Sequence, residues 1–266
     1  MRLDVAFSPL GLAPPDVQGR TVFVIDILRA TTTMCAALHN GARALIPVAS
    51  TEEALRLAQT IGSADVLLAG EKNSVRIPGF ALGNSPPEMT EQAVRGKTII
   101  VTTTNGTKAL LAAQGAAAVY VAAAVNLSVA GERARRALEE QRDIFILCAG
   151  RETAFGLDDA YCAGRLAVAA LGGRKPRKGL NDAAVASLDL VRRYGDNWQR
   201  PLSYSRAGRE LGRLGFRDDV LDAARMDAYP VLPQFHERRV TLAPQPQPQP
   251  APPPPQPQPQ PQPQPS

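Results

Sequence analysis

Histidine is scarce: the 266-residue chain has two, His39 and His236. That argues against a histidine phosphatase, a zinc hydrolase or a Ser-His-Asp relay, each of which needs imidazoles in a defined constellation. Cysteine is scarce too. Cys35, Cys148 and Cys162 are odd in number and lack CxxC spacing, which disfavours a disulfide framework and a structural zinc site. No apolar run reaches the ~18–20 residues that span a bilayer. The opening MRLDVAFSPLGLAPPD has an early aspartate and prolines where a signal peptide has an uninterrupted apolar stretch, so the expected location is the cytoplasm. Familiar phosphate motifs are also missing. There is no GxxxxGK[ST] and no GxGxxG. An Asp-x-Asp loop at Asp26 fails at Leu28, and a Cys-x5-Arg loop at Cys148 fails at Ala154. Cys148 is therefore read as a small buried residue at a strand end.

What is present supports a globular enzyme. Apolar residues make up 44% and charged residues 21%, enough to bury a core. The net charge of +5 suits anionic ligands or a weak nucleic-acid footprint. The densest basic run, GGRKPRKG at 172–179, lacks interleaved aromatics and reads as a solvated loop. Neither nucleic acid nor membrane is an expected partner; a homo-oligomer is left open. One catalytic domain is expected over residues 1–240, followed by a disordered Pro-Gln-rich tail over 241–266. The tail's near-pure repeat from 244 favours extended, polyproline-like chain.

The body of the chain alternates strands and helices. TVFVID (21–26), ALIPVA (44–49), DVLLAG (65–70), KTIIVTT (97–103), AVYVAAA (118–124) and DIFILCAG (143–150) read as strands. Pro47 suggests that its strand is an edge or carries a bulge. Ser50 and Glu53 form a capping-box pattern for the helix that follows. A shift of 74 positions lays Thr33 on Thr107, Gly41 on Gly115 and Ala42 on Ala116, with the preceding strands matching only across a two-residue gap. Duplication and convergence explain this weak repeat equally well. The expected fold class is α/β: a layered, largely parallel or mixed sheet flanked by helices, with two similar β-α-β subdomains a possible division.

In open α/β sheets ligands bind beyond the carboxyl ends of the strands. Four such ends carry polar groups: Asp26, Arg29 and Thr31, Thr32, Thr33; Glu71; Thr103, Thr104, Asn105, Gly106 and Thr107; and Arg151, Glu152, Asp158 and Asp159. Two of these loops run into helix N-termini, whose amides and dipole favour phosphate. Arg29 can fork two phosphate oxygens. Taken singly, Thr33 and Thr107 read better as helix caps; two such loops beside several carboxylates tip the balance toward a phosphate site. The acidic residues Asp26, Glu71, Glu152, Asp158 and Asp159 beside phosphate suggest Mg²⁺, which takes one or two carboxylates plus water and substrate oxygens. The irregular segment IPGFALGNSPPEM (77–89) offers Asn84 and Ser85, either facing a ligand or closing an Asx turn.

The motifs VIDILRATTT, AGE, GFALGNSP, TTTNGT and CAGRETAFGLDD occur in that order, and together they resemble the 2-phosphosulfolactate phosphatase family. The resemblance covers roughly residues 3–235. SRAGRELGRLGFRDDVLDAA (205–224) also looks like the family's C-terminal part. It implies Mg²⁺-dependent hydrolysis of 2-phospho-3-sulfolactate, a step toward coenzyme M, or of a similar small phosphorylated acid. On this reading Asp26 is either a nucleophile or a metal ligand, and Arg29 and the loops at Thr31–Thr33 and Asn105–Thr107 hold phosphate. A sulfonate would need a second cation, with Lys72, Arg76 and Arg151 as candidates. The competing reading is a non-catalytic anion-binding module.

Overall fold

The computed structural model describes residues 2–62, 64–152, 154–174 and 179–244. Residues 175–178 of the basic run and 245–266 of the Pro-Gln tail fall outside these, and with them the loop and tail expectations. The strands are β1 (Leu3–Ala6), β2 (Thr21–Ile25), β3 (Ala44–Pro47), β4 (Val66–Lys72), β5 (Val75–Arg76), β6 (Thr98–Thr102), β7 (Ala118–Val121), β8 (Ile144–Cys148), β9 (Pro233–His236) and β10 (Arg239–Leu242). The helices are α1 (Pro14–Val17), α2 (Ala30–His39), α3 (Thr51–Ile61), α4 (Glu91–Val94), α5 (Gly106–Ala112), α6 (Leu127–Glu139), α7 (Leu157–Leu171), α8 (Asp182–Tyr194), α9 (Gln199–Tyr204), α10 (Arg206–Arg213) and α11 (Arg217–Ala223). The last strand runs through Leu242, two residues past the domain end expected from sequence.

Among the described residues the strands form one mixed sheet, ordered β1-β8-β2-β7-β9-β10-β3-β6-β4-β5. It is an α/β fold built from two parallel blocks. In the first, β1, β8, β2 and β7 run parallel; in the second, β3, β6 and β4 do. The antiparallel hairpin β9–β10 joins them, pairing with β7 on one side and β3 on the other. Strands β2 and β8 are buried at every position. Side chains alternate between sheet faces, so full burial means that both faces are covered.

The two similar β-α-β units are interleaved rather than side by side. β2 lies in the first block and, through α2, leads to β3 in the second. β6 lies in the second and, through α5, leads back to β7 in the first. Thr21 pairs with Ala118 in one block and Thr98 with Ala44 in the other. Ala118 follows Ala44 by 74 residues, but Thr98 follows Thr21 by 77, so the gap between the units is three residues rather than two. The consequence for the site is that α2 and α5 start side by side at the junction of the blocks.

The Ser50 cap forms: its hydroxyl accepts from Glu53 N at 3.2 Å, while Glu53 reaches back to Ala49 N at 2.9 Å. Pro47 does not mark an edge. β3 lies inside the sheet, but its pairing with β10 is confined to Leu45–Val240, so the proline sits at the strand end, beyond that contact. Both tight hairpins turn through two residues with positive φ, Asn73 and Ser74 between β4 and β5, and Glu237 and Arg238 between β9 and β10. That backbone matches the twist of the strands it joins. The irregular segment 77–89 packs Ile77 and Phe80 into a small cluster with Val48, Ala54 and Ile100, which fixes Asn84 and Ser85 beside α2.

Candidate active site

Asp26 follows the last residue of β2. Its carboxylate accepts a hydrogen bond from Ala30 N, the first residue of α2, and its own amide donates to Thr31 Oγ1 at 3.1 Å. Thr32 Oγ1 donates to Ile27 O at 2.8 Å and Thr33 Oγ1 to Asn84 O at 2.9 Å. All three threonines are buried. Helix α2 therefore begins inside the stretch that reads as a loop, and the threonine hydroxyls fasten its first turn instead of lining a cavity.

The loop after β6 behaves alike. Thr103 Oγ1 accepts from Thr107 N at 3.1 Å, and Thr107 Oγ1 donates to Thr103 O at 3.0 Å. Gly106 then passes close to Asp26: a Cβ there would sit 2.5 Å from Ala30 Cβ and 2.7 Å from Asp26 Oδ2. Only glycine lets the starts of α2 and α5 flank one carboxylate this closely.

Of the amides expected to receive phosphate, Thr31 N donates to Asp26 O, Thr33 N to Arg29 O and Thr107 N to Thr103 Oγ1, and strand-end amides around them are held by the protein's own carboxylates. Glu71 accepts from Ser74 N and Thr104 N, each at 2.7 Å, and from Thr104 Oγ1 at 3.1 Å. Asp159 accepts from Ile27 N at 2.9 Å and Gly150 N at 3.0 Å, tying the end of β2 to the end of β8. Asp158 takes its own amide and that of Asp159. Each acid is thus anchored by backbone dipoles.

Two adjoining cavities open at this junction and share Asp26, Leu28, Asn105 and Arg151. The first is lined further by Arg29, Glu71, Asn73, Ser74, Asn84, Thr104 and Glu152. Asn84 is 5% exposed, and its Oδ1 has no hydrogen-bond partner. The second cavity adds Gly150, Phe155, Gly156, Asp158, Asp159 and Arg206. Of the residues picked out from sequence, Asp26, Arg29, Glu71, Asn84, Asn105, Arg151, Glu152, Asp158 and Asp159 converge on these cavities; Thr31, Thr32, Thr33, Ser85, Gly106 and Thr107 form the frame behind them. Lys72 and Arg76 line neither cavity.

Arg29 is held from several sides. Nη1 donates to Asp219 Oδ2 at 2.6 Å, Nη2 to Ser74 O at 2.7 Å, and the guanidinium lies 4.6 Å from the centre of the Phe216 ring. Ser85 Oγ donates to the other oxygen of Asp219 at 2.7 Å. Arg151 forms an ion pair with Glu210, which also accepts from Ser74 Oγ at 3.4 Å. Asp219, Phe216, Glu210 and Arg206 all come from the segment 205–224. That segment resembles the family as a block, but nothing in its helix-forming, charged composition singles out these residues.

The electrostatics follow from burial. The Asp26 carboxyl is pushed up to about 7, mainly by desolvation, then by the charges of Glu71 and Asp158. Burial lifts Asp158 to about 6. Asp159 is raised well above the ordinary range by burial and by the neighbouring Asp158 and Asp26. Burial also raises the Cys148 thiol, consistent with an unreactive strand-end residue.

Mg²⁺ can be tested against these groups. Among the described residues no three His, Cys, Asp or Glu side chains converge as a ready-made metal cage. Mg²⁺ does not require one; it is usually held by one or two carboxylates and keeps water and substrate oxygens. The mutual repulsion of Asp26 and Glu71, and the partnerless Asn84 Oδ1 beside them, form an all-oxygen donor set that suits a hard cation.

No helix among the described residues is long and apolar enough to cross a membrane. A family model described as 2-phosphosulpholactate phosphatase matches residues 8–238. A protein of Symbiobacterium thermophilum named probable 2-phosphosulfolactate phosphatase is 41% identical over 231 residues, covering 86% of this chain and 97% of its own. One of Deinococcus radiodurans with the same name is 42% identical over 222 residues, covering 82% and 87%. A third, of Caldanaerobacter subterraneus, is 37% identical over 224 residues, covering 82% and 89%. With the family model spanning most of the chain, and with the strand-end acids and arginines gathered at one junction, this protein belongs to the 2-phosphosulpholactate phosphatase family.

Proposed function

We propose that this chain is a Mg²⁺-dependent, cytoplasmic phosphatase that hydrolyses 2-phospho-3-sulfolactate, or a similar small phosphorylated acid, to the hydroxy acid and phosphate. With phosphosulfolactate the product is the sulfolactate used toward coenzyme M. The observation that carries this reading is the filling of the strand-end amides by Asp26, Glu71 and Asp159. A passive anion-binding module would leave those amides for its ligand. A site that turns anchored carboxylates toward a cavity with arginines instead suits a cation and a phosphoryl group together.

Asp26, Glu71 and Asn84 would hold the metal, which would neutralise phosphoryl charge when bound. Arg29, fixed by Asp219 and Ser74, contributes a positive charge in a set position, so little reorganisation is needed as charge shifts onto the leaving oxygen. With its carboxyl raised to about 7, Asp26 is part protonated near neutral pH in the metal-free site. It is thus either the nucleophile, once ionised, or the group that takes a proton from attacking water.

The test is phosphate release by purified protein from 2-phosphosulfolactate and a panel of phosphorylated acids, with Mg²⁺ or EDTA. Release with Mg²⁺, its loss in EDTA, and a fall of at least about a hundredfold in kcat for Asp26→Asn are expected. No release from any substrate, with Asp26→Asn binding phosphate as well as wild type, would return the protein to the anion-binding class.

A further inference from the structure

The turn between β4 and β5 breaks a local rule. Asn73 and Ser74 both have positive φ, at 54° and 67°. A two-residue hairpin turn of this kind prefers Asn-Gly, because glycine enters that region without strain. Here the pair is Asn-Ser. β5 is an exposed two-residue strand at the edge of the sheet, so the core gains little from this tip. A strained residue kept where packing does not need it points to the site it faces, and Asn73 and Ser74 line the first cavity. The hydroxyl accounts for the serine: Oγ donates to Glu210 Oε1 at 3.4 Å and ties the tip to α10.

The backbone of Ser74 meets both signs of charge. Its N–H donates to Glu71 Oε2 at 2.7 Å, and its C=O accepts from Arg29 Nη2 at 2.7 Å. Glu71 and Arg29 line the same cavity, yet among the described residues they form no ion pair with each other; Arg29 pairs with Asp219. Opposite charges facing one cavity attract. A direct pair would use up the carboxylate that a cation needs and the guanidinium that an anion needs. The N–H and C=O of one residue are separated by bonds of fixed length, so a turn that holds φ and ψ also holds the gap between their two partners. Thr104 grips Glu71 from the end of β6, and Asp219 grips Arg29 from α11, so each charge is drawn away from the other on its far side.

We propose that Ser74 is a positioning residue: its backbone stands between Glu71 and Arg29, keeping the acid free for a divalent cation and the guanidinium free for an anion. This rests on the Mg²⁺-phosphatase reading of the first cavity.

Two substitutions separate backbone from side chain. Ser74→Pro removes the N–H and forbids positive φ, so the tip must leave its place. Ser74→Gly keeps both backbone groups in the same turn and removes only the tie to Glu210. Calorimetric titration with MgCl2 alone is the readout, on preparations shown to be folded by thermal melting. Kd for Mg²⁺ should rise at least about tenfold in Ser74→Pro, the scale of a charge-assisted interaction, and stay within about threefold of wild type in Ser74→Gly. Ser74→Val, whose branched side chain resists positive φ, is the milder second variant and should follow Ser74→Pro in direction. A third comparison isolates Arg29. Arg29→Gln with Asp219→Asn removes both charges of the buried pair, so neither is left alone. In that background Ser74→Pro should weaken Mg²⁺ binding by less than about threefold, because no guanidinium remains to capture Glu71. An equal loss in both backgrounds, a loss in Ser74→Gly as large as in Ser74→Pro, or folded Ser74→Pro and Ser74→Val that bind Mg²⁺ like wild type overturns the spacer and leaves the phosphatase reading standing. If wild type neither binds Mg²⁺ nor releases phosphate, the phosphatase reading fails on its own. The spacer is then judged from a crystal structure of Ser74→Pro or Ser74→Val: a direct Arg29–Glu71 ion pair supports it, and a separation like that of wild type overturns it.

Discussion

Arg29 and Asp219 lie 190 residues apart in the chain and meet as a buried ion pair, with Nη1 and Oδ2 at 2.6 Å and the side chains 3% and 4% exposed. Removing one member of such a pair leaves a buried charge without compensation. Asp219→Ala is predicted to cost about 3–5 kcal/mol of stability, read from urea unfolding. Asp219→Asn should cost less, because it keeps an acceptor for Ser85 Oγ. In both variants kcat should fall, since Arg29 loses its anchor. A loss below about 1 kcal/mol for Asp219→Ala would mean that the pair does not hold Arg29 in solution.

At Gly106 the start of α5 meets the start of α2 with no room for a side chain. Gly106→Ala would place a methyl 2.5 Å from Ala30 Cβ and 2.7 Å from Asp26 Oδ2. Overpacking of this kind typically costs about 1–3 kcal/mol. The more telling effect is on Asp26: its carboxylate is pushed off the Ala30 amide, so kcat should drop well beyond what the stability loss explains. Thermal melting and steady-state kinetics on the same preparation separate the two. A variant with wild-type kcat would show that the contact is slack.

The raised carboxyls give the metal-free protein an unusual pH dependence. Asp26 rises from an ordinary 3.8 to about 7, and Asp158 from 3.8 to about 6. Between about pH 4 and 7 the folded state keeps protons that the unfolded state has released. Their contribution is therefore complete below the unfolded value and is lost as pH rises through 6 and 7. In EDTA, stability should decline from pH 5 to pH 8 by an amount on the order of a few kcal/mol, and Asp26→Asn should flatten the decline. Added Mg²⁺ should stabilise more at pH 8 than at pH 5, because protons compete with the metal. A flat or rising profile in EDTA would show these acids ionising normally.

How much of this was readable beforehand depended on local contrast. β2 and Asp26 stand out because an apolar run stops at a carboxylate. The start of α2 does not: threonines are weak helix formers, so ATTT reads as loop until their hydroxyls find Ile27 O and Asn84 O, the second of which is remote in sequence. The β9–β10 hairpin, which joins the two blocks, has only four-residue strands and turns at Glu237–Arg238 without the usual Gly or Asn. Arg206, Glu210 and Asp219 sit in helices rich in solvent-type charge, where a residue facing a cavity looks like one facing water. The helix starts were legible as anion sites, but not that Glu71 and Asp159 would take the nearby amides of Thr104 and Ile27, each remote from its acceptor in sequence.

Asp158 and Asp159 are neighbours that sequence cannot tell apart, and the structure gives them different work. Asp159 accepts from Ile27 N and Gly150 N. Asp159→Asn keeps one acceptor and sets an amide NH2 against the other N–H, so a loss of about 1–3 kcal/mol is expected. Asp158 accepts only at the first turn of its own helix and raises the carboxyl of Asp26 by repulsion. Asp158→Asn keeps that acceptor and removes the charge, so stability should change by less than about 1 kcal/mol. Its effect belongs in the kinetics. With one repelling neighbour gone, Asp26 ionises at lower pH, and the acidic limb of the pH–rate profile should move to lower pH while that of Asp159→Asn moves less. Equal stability losses and no displacement of either limb would mean that the two aspartates share one structural role.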